Sequence, residues 1–333
     1  MSSDSIVLGT FMQWPDAIYN HTRMYLDVAW TYIESLDIDY IKWVLWVLYP
    51  IILSFLLPLL LLAFIYGSAS FLLLYRRRHR LRDAYARDFW DGARNTLAAV
   101  WEGQGRIWHG FDIVGLDKIP DDGPALIIYY HGVIPIDFYY VIAKTILEKG
   151  RQIRAVGDRF LFKVPGWRLM MEVFCVTPGT VQSCVEVLNK GHLLAIAPGG
   201  VREALFGDEY YSLMWGKRVG FAKIAMQAGV PVIPMFTKNC REVFRTPSWG
   251  RYWLRKLYEK TRLPIVPIYG GFPVKMRTYF GDPVYPDENS SPEEFANKVH
   301  EAVNDLITKH QRVPGNILHG LWERVVSPKE KTS

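Results

Sequence analysis

One long apolar run and two shorter periodicities organise this chain. Residues 41–75 carry a single charged side chain, Lys42, among Leu, Ile, Phe, Trp and Val. Buried helices of soluble domains seldom hold more than about 14 purely apolar residues, and crossing a bilayer takes about 20. The run therefore predicts a membrane anchor. Fully helical, it would reach roughly 50 Å against a hydrocarbon core of about 30 Å. Pro50 and Pro58 leave two arrangements open, a kinked single span or a hairpin turning at Pro58. A cleaved leader is not expected, because a mixed stretch of residues precedes the run.

Beyond the anchor the pattern alternates between helix and strand periods. Residues 88–101 read as a helix and 125–130 as a short buried strand. A helix follows over 135–149, with Pro135 suited to its first turn and Gly150 to its end. Residues 153–157 form the next strand. Thr180 can cap a helix whose apolar positions Val181, Cys184, Val185 and Leu188 share one face, closed by Gly191. Strand 192–197, helix 217–227 and strand 231–236 come next. Ser291-Pro292-Glu293-Glu294 opens a last helix with a capping box, and Phe295, Val299, Val303, Leu306 and Ile307 lie along one stripe of it. Such alternation predicts an α/β layered fold with function at strand ends.

Composition narrows the partners. The chain has 333 residues, half of them hydrophobic, and a formal charge of +6. A basic balance points to an anionic partner, whether lipid head group, phosphorylated cofactor or nucleic acid. No basic block sits beside a nucleic-acid-binding motif, so nucleic acid is not expected. The three cysteines, Cys175, Cys184 and Cys240, match neither a metal set nor a disulfide framework; they suit a reducing compartment. Residues 1–40 hold six acidic side chains and one basic, Arg23, whereas Arg76, Arg77, Arg78, Arg80 and Arg82 follow the apolar run. The positive-inside rule then places the following domain in the cytosol. A single span would leave Asn20-His21-Thr22 open to lumenal glycosylation.

Two segments carry candidate chemistry. Tyr130-His131-Gly132-Val133-Ile134-Pro135-Ile136-Asp137 sets an imidazole at a strand end and a carboxylate in the next helix's first turn. Imidazole titrates near neutrality and can take a hydroxyl proton, given a partner that fixes its tautomer. Pro198-Gly199-Gly200-Val201-Arg202-Glu203 follows another buried strand. Paired glycines let a ligand approach the backbone, and Arg202 can bind a phosphate or carboxylate in bidentate fashion. Each segment alone also reads as an ordinary capped turn. Residues 241–262 interleave Arg241, Arg245, Arg251, Arg255, Lys256, Lys260 and Arg262 with Phe244, Trp249, Tyr252, Trp253 and Tyr258. That mixture suits a membrane interface with anionic head groups, the phosphates of a cofactor, or a solvated helix with half-buried aromatics.

In combination the segments are more specific. His131 to Asp137, Pro165-Gly166-Trp167-Arg168, Pro198 to Glu203, and Val230-Pro231-Val232-Ile233-Pro234 resemble the four blocks of the glycerolipid acyltransferase superfamily. Within it, the chain resembles the branch that makes di- and triacylglycerol. The resemblance implies an acyltransferase-type mixed sheet flanked by helices, preceded here by a transmembrane helix or hairpin. It implies a membrane-bound O-acyltransferase with acyl-CoA as co-substrate, a glycerolipid acceptor, the lipid bilayer as partner, and neither metal nor redox cofactor. The endoplasmic reticulum membrane is the implied location. His131 and Asp137 take the catalytic roles, and Arg168, Gly199, Gly200, Arg202 and Glu203 those of substrate binding. The organisation is an arm (1–40), an anchor (41–75), an acyltransferase domain (76–326) and a tail (327–333).

Two departures from the family pattern matter. Five residues separate His131 from Asp137 where the family has four. One extra helical residue would swing the carboxylate by about 100°, so pairing requires residues 132–134 to be non-helical. Phosphate-acceptor members carry Phe-Pro-Glu-Gly-Thr-Arg, whereas here Ala197, Gly199 and Val201 replace Phe, Glu and Thr. The Gly-Gly form resembles the neutral-lipid branch and favours mono- or diacylglycerol. Retained Arg202 keeps lysophosphatidate open, and the unusual spacing keeps open a non-catalytic lipid-binding member.

Overall fold

The computed structural model describes residues 40–79, 90–287 and 289–326, with residues 23–25, 27, 28, 31 and 32 of the preceding arm. Expectations placed on Asn20, on Arg80 and Arg82, on a helix start at residue 88 and on the tail lie outside the described residues. The chain divides into two compact units, residues 1–53 and 54–333.

Helix α1 (Tyr40–His79) runs unbroken through Pro50 and Pro58. Its stretch Ile41–Arg76 is long and apolar enough to cross a membrane. In the first unit Ile41, Trp43, Trp46 and Tyr49 are exposed. In the second unit Ile65, Ala69 and Leu72, spaced four and three apart, are buried. Phe64 there sets its ring edge-on to Trp101 at 4.7 Å.

Helix α2 (Asp91–His109) continues eight residues beyond the expected end, through Gly103 and Gly105, and stops at Gly110 in the left-handed conformation (φ +54). Gly105 persists there because the Tyr140 ring packs on it; a Cβ would sit 2.9 Å from that ring. Then come β1 (Asp112–Val114), β2 (Ala125–Tyr129), α3 (Ile136–Lys149), β3 (Ile153–Ala155) and α4 (Arg168–Val173). Next are α5 (Val181–Asn189), β4 (Leu193–Ile196), α6 (Gly200–Phe206), α7 (Gly220–Ala228) and β5 (Val232–Lys238). The chain continues through α8 (Cys240–Val243), β6 (Phe244–Arg245), α9 (Arg251–Thr261), β7 (Tyr269–Gly270) and β8 (Arg277–Phe280). It ends in α10 (Pro292–His310) and α11 (Ile317–Val326). The capping box expected at Ser291 forms with Glu294, and the cap expected at Thr180 proves to be a full box with Ser183.

Six strands make a mixed sheet in the order β1-β8-β5-β2-β4-β3. Every neighbouring pair is parallel except β5 with β8. β2 lies at the centre, all five residues buried. Its side chains alternate between two cores. Ile127 and Tyr129 join α1, α2, α3 and α4, while Leu126, Ile128 and Tyr130 join α5, α7 and α10. Helices on both faces of a mainly parallel sheet explain why these strands read as continuous apolar runs. β2, β4 and β5 point the same way, so the residues that follow each of them converge at one edge.

Candidate active site

His131 stands two residues beyond β2, half-buried. Its backbone amide donates to Glu203 Oε2 at 2.9 Å, and its Nδ1 lies 2.6 Å from the Gly132 carbonyl oxygen. A carbonyl can only accept, so Nδ1 carries the proton and Nε2 keeps the lone pair. Burial pulls the imidazole pKa below 6.5; the Gly132 carbonyl opposes this and the Arg241 charge adds to it. The ring is therefore neutral at physiological pH, as a proton acceptor must be.

Asp137 occupies the first turn of α3 and is fully buried. Residues 132–134 are non-helical, the condition the five-residue spacing imposed. Even so, the carboxylate makes no hydrogen bond to the His131 ring, whose Nδ1 is turned to Gly132 instead. One oxygen, Oδ2, has no hydrogen-bond partner. Burial raises the Asp137 pKa to about 6, against the Thr237 hydroxyl and the Phe138 amide.

The second turn, after β4, is built differently from its expected reading. Arg218 donates to the Pro198 and Gly199 carbonyls at 2.7 and 2.9 Å. Gly199 has no room for a side chain: a Cβ would fall 2.3 Å from the Glu203 carboxyl carbon. Glu203 packs into that hollow and is wholly buried. Its two oxygens accept from the amides of His131 and Met214, both at 2.9 Å. Burial lifts its pKa to about 7, with those two amides opposing. Glu203 thus braces the His131 backbone, with one backbone amide on each carboxylate oxygen.

Behind it lies Arg241, which the sequence pattern groups with the interfacial cations. Arg241 is buried, and its Nη1 donates to the Tyr130 hydroxyl and the Glu203 carbonyl, both at 3.1 Å. Its Nη2 donates to the carbonyls of Ala204 and Gly207. A cation at the carboxyl end of α6 suits the helix dipole, and it meets the Ala204 carbonyl, the Gly207 carbonyl just beyond the helix, and the Glu203 carbonyl, which also accepts from the Gly207 amide. Its position just past β5, at the same sheet edge as His131, was the one available sequence signal.

A cavity of about 540 Å³ opens before His131, within the range of small-molecule sites. Its walls are mainly apolar, with Leu61 and Ile65 of α1, Phe138, Ile142 and Ile146 of α3, Met170 and Met171 of α4, and Val201 and Leu205 of α6; Ser68 and Asp158 are among its polar side chains. Among the described residues, His131 is the only basic side chain on its wall. Gly200 lines it too, with φ +50 at the start of α6. Trp167, from the second sequence block, also lines it, and its indole N–H is buried without a partner. The two arginines expected to bind substrate, Arg168 and Arg202, are not on this wall. Arg168 is exposed at the start of α4, and Arg202 reaches Glu259 at 3.4 Å with its Nε unpartnered. A neutral imidazole facing an apolar chamber can take a proton from a hydroxyl while a hydrocarbon chain is held beside it.

Residues 110–238 match the profile of the Acyltransferase family. The human "DGAT1/2-independent enzyme synthesizing storage lipids" is 52% identical over 297 residues, 89% of this chain and 91% of that protein. The chicken protein of the same description is 46% identical over 304 residues, 90% and 91% of the two chains. The 1-acyl-sn-glycerophosphate acyltransferase PlsC of Thermotoga maritima is 21% identical at a TM-score of 0.49, over 77% of this chain and 97% of that one. With relatives matched so fully along their length, and the family profile spanning the strand ends that carry His131 and Glu203, this chain belongs to the glycerolipid acyltransferase superfamily.

Proposed function

We propose that this chain is a membrane-bound O-acyltransferase that moves a fatty acyl group from acyl-CoA to monoacylglycerol or diacylglycerol. The observation that carries the reading is the neutral His131 imidazole, its Nδ1 engaged by Gly132, set on the wall of an apolar cavity. In this reading Nε2 takes the acceptor hydroxyl proton while the oxygen attacks the thioester carbonyl carbon. The tetrahedral intermediate expels the coenzyme A thiolate, which recovers the proton from the imidazolium. One C–O bond forms and one C–S bond breaks, without metal or redox cofactor. A positioned base supplies about 10²–10⁴ in rate. The cavity would hold the acyl chain, gaining about 0.8 kcal/mol for each CH₂ it removes from water.

Asp137 is the proposed charge partner of the ring. Its unpaired, buried oxygen in the first turn of α3 is available to the imidazolium once the proton is taken. A neutral acceptor is favoured because neither Arg168 nor Arg202 lines the cavity, and the storage-lipid description of the human and chicken relatives agrees with this. Lysophosphatidate is the second reading, supported by the unpartnered Nε of Arg202. The apolar helix and the arginines after it support a membrane location with the catalytic domain in the cytosol, and the endoplasmic reticulum is the membrane the family resemblance implies.

The test is a labelled acyl-CoA assay on reconstituted full-length protein, offering monoacylglycerol, diacylglycerol and lysophosphatidate in parallel. Label should enter di- or triacylglycerol and be lost in His131→Ala. Label in phosphatidate would reverse the acceptor assignment, and full activity of the variant would remove the base.

A further inference from the structure

Helix α9 carries its polarity in an unusual direction. Its inner side is held down by Leu254 and Tyr258, which pack with Val266 against Val201, Leu205 and Phe206. The outer side presents Tyr252, Trp253, Lys256, Leu257 and Lys260, spaced one, four, five and eight residues apart on one face. Trp249, just before the helix, is 77% exposed and Trp253 71%. Leu263 and Ile265, just after it, are exposed as well. Large aromatics left in solvent in this number ask for a partner.

The accompanying charge says which. The helix holds Arg251, Arg255, Lys256 and Lys260 against the single acid Glu259, and Arg262 follows at its end. Glu259 is shared between Arg255 and Arg202, so the cations beside the aromatics have no acid of their own on the helix. Lys256 leans its ammonium over the Tyr252 ring, 4.4 Å from the centroid, and lies 5.7 Å from that of Trp253. Tryptophan and tyrosine with lysine stems laid along them is the chemistry of the bilayer interface, where rings sit at head-group depth and ammonium groups meet phosphates.

We propose that the outer face of α9, with Trp249 before it and Leu263 and Ile265 after it, is a second membrane contact, seated in the interfacial layer of a bilayer bearing anionic lipid. It is separate from the apolar helix α1. The segment runs directly into Pro264 and Ile268, which line the cavity, and α9 lies on the same α6 that supplies Val201 and Leu205 to its wall. Seating this face in the interface brings that wall to the lipid phase. Coenzyme A phosphates would need the cations but leave the exposed aromatic and aliphatic side chains unexplained. The inference does not rest on the acyl-transfer reading, because its test reports depth rather than turnover.

The full chain, with Cys175→Ser, is reconstituted into phosphatidylcholine vesicles with or without phosphatidylserine. An environment-sensitive fluorophore is attached at Trp253→Cys or, as a control on an exposed site of α5, at Glu186→Cys. Emission at 253 should shift to the blue and be quenched by lipid-borne quencher, more strongly with phosphatidylserine, while 186 stays accessible to iodide. Lys256→Glu with Lys260→Glu and Arg262→Glu should abolish the phosphatidylserine increment, at roughly fivefold in partition per cation. Thermal melting of each variant verifies its fold, and a Tyr252→Cys label repeats the reading at a second site. Equal iodide access at 253 and 186 overturns the proposal. So does a probe that responds to coenzyme A and not to phosphatidylserine, which would make the face a cofactor site.

Discussion

The turns after β2 and β4 sit side by side at one edge of the sheet, and each places an ionisable residue beyond a buried strand. They do opposite work. After β2 the imidazole of His131 is turned to the cavity, and only its backbone amide and Nδ1 are engaged by protein. After β4 the carboxylate of Glu203 is turned inward, into the hollow left by Gly199, and spends both oxygens on backbone amides. One turn presents a reactive group, and the other holds it in place. A charged residue in a strand-end turn is thus no guide to substrate contact until the space beneath it is known.

The comparison breaks most visibly at His131. Replacing it by Ala should lower turnover by about 10²–10⁴ while leaving thermal unfolding of the domain near wild type, read by labelled acyl transfer beside a melting curve. Near-normal turnover would mean that the presenting turn presents something else.

Glu203→Leu tests the holding turn. Two buried amides lose their acceptor, at about 1–3 kcal/mol for each, so the melting temperature should drop. Turnover should fall by up to about 10²-fold as His131 shifts. A stable variant with only a raised KM would restore Glu203 to substrate binding. Gly199→Ala should give a milder version of the same phenotype, about 1–3 kcal/mol of overpacking, through the clash with Glu203.

Asp137→Asn sharpens the role of the carboxylate. If Asp137 steadies the imidazolium, kcat should fall roughly tenfold or more with KM unchanged; a wild-type rate would leave the ring to Gly132 alone. The variant also carries a stability signature. Burial raises the Asp137 pKa from 3.8 to about 6, so the folded state favours the neutral acid. That contribution is complete below 3.8 and is lost as pH rises through about 6. Asparagine removes the loss, so the melting temperature of the variant relative to wild type should climb across that window.

The smallest effect is in the pH–rate profile. The base must be neutral, and burial holds the His131 pKa below 6.5, so kcat/KM should stay level through pH 6.5 and decline only on its acid side. A limb centred above 6.5 would mean that the imidazole is stabilised in its charged form, which a direct Asp137 contact in the working enzyme would produce.

Local physics was legible in the residues alone. The cap at Thr180, the capping box at Ser291, the left-handed glycine at 150, the buried strands and the stripe of α10 depend on hydrogen bonds and side-chain periods within a few positions. The four blocks likewise announced the superfamily. What the sequence left undetermined depends on partners far along the chain. Helix α2 outlasts its two glycines because Tyr140, 35 residues on, rests against Gly105. Glu203 braces His131, 72 residues before it, and Arg241 is drawn inside by the carbonyls of Glu203, Ala204 and Gly207 at the end of α6, 34 to 38 residues earlier. The aromatics of α9 stayed outside for the converse reason: the inner face of that helix was filled by Leu254 and Tyr258. Whether a charge or a ring is buried is set by the vacancy opposite it, and that vacancy exists only once the sheet has brought its strand ends together.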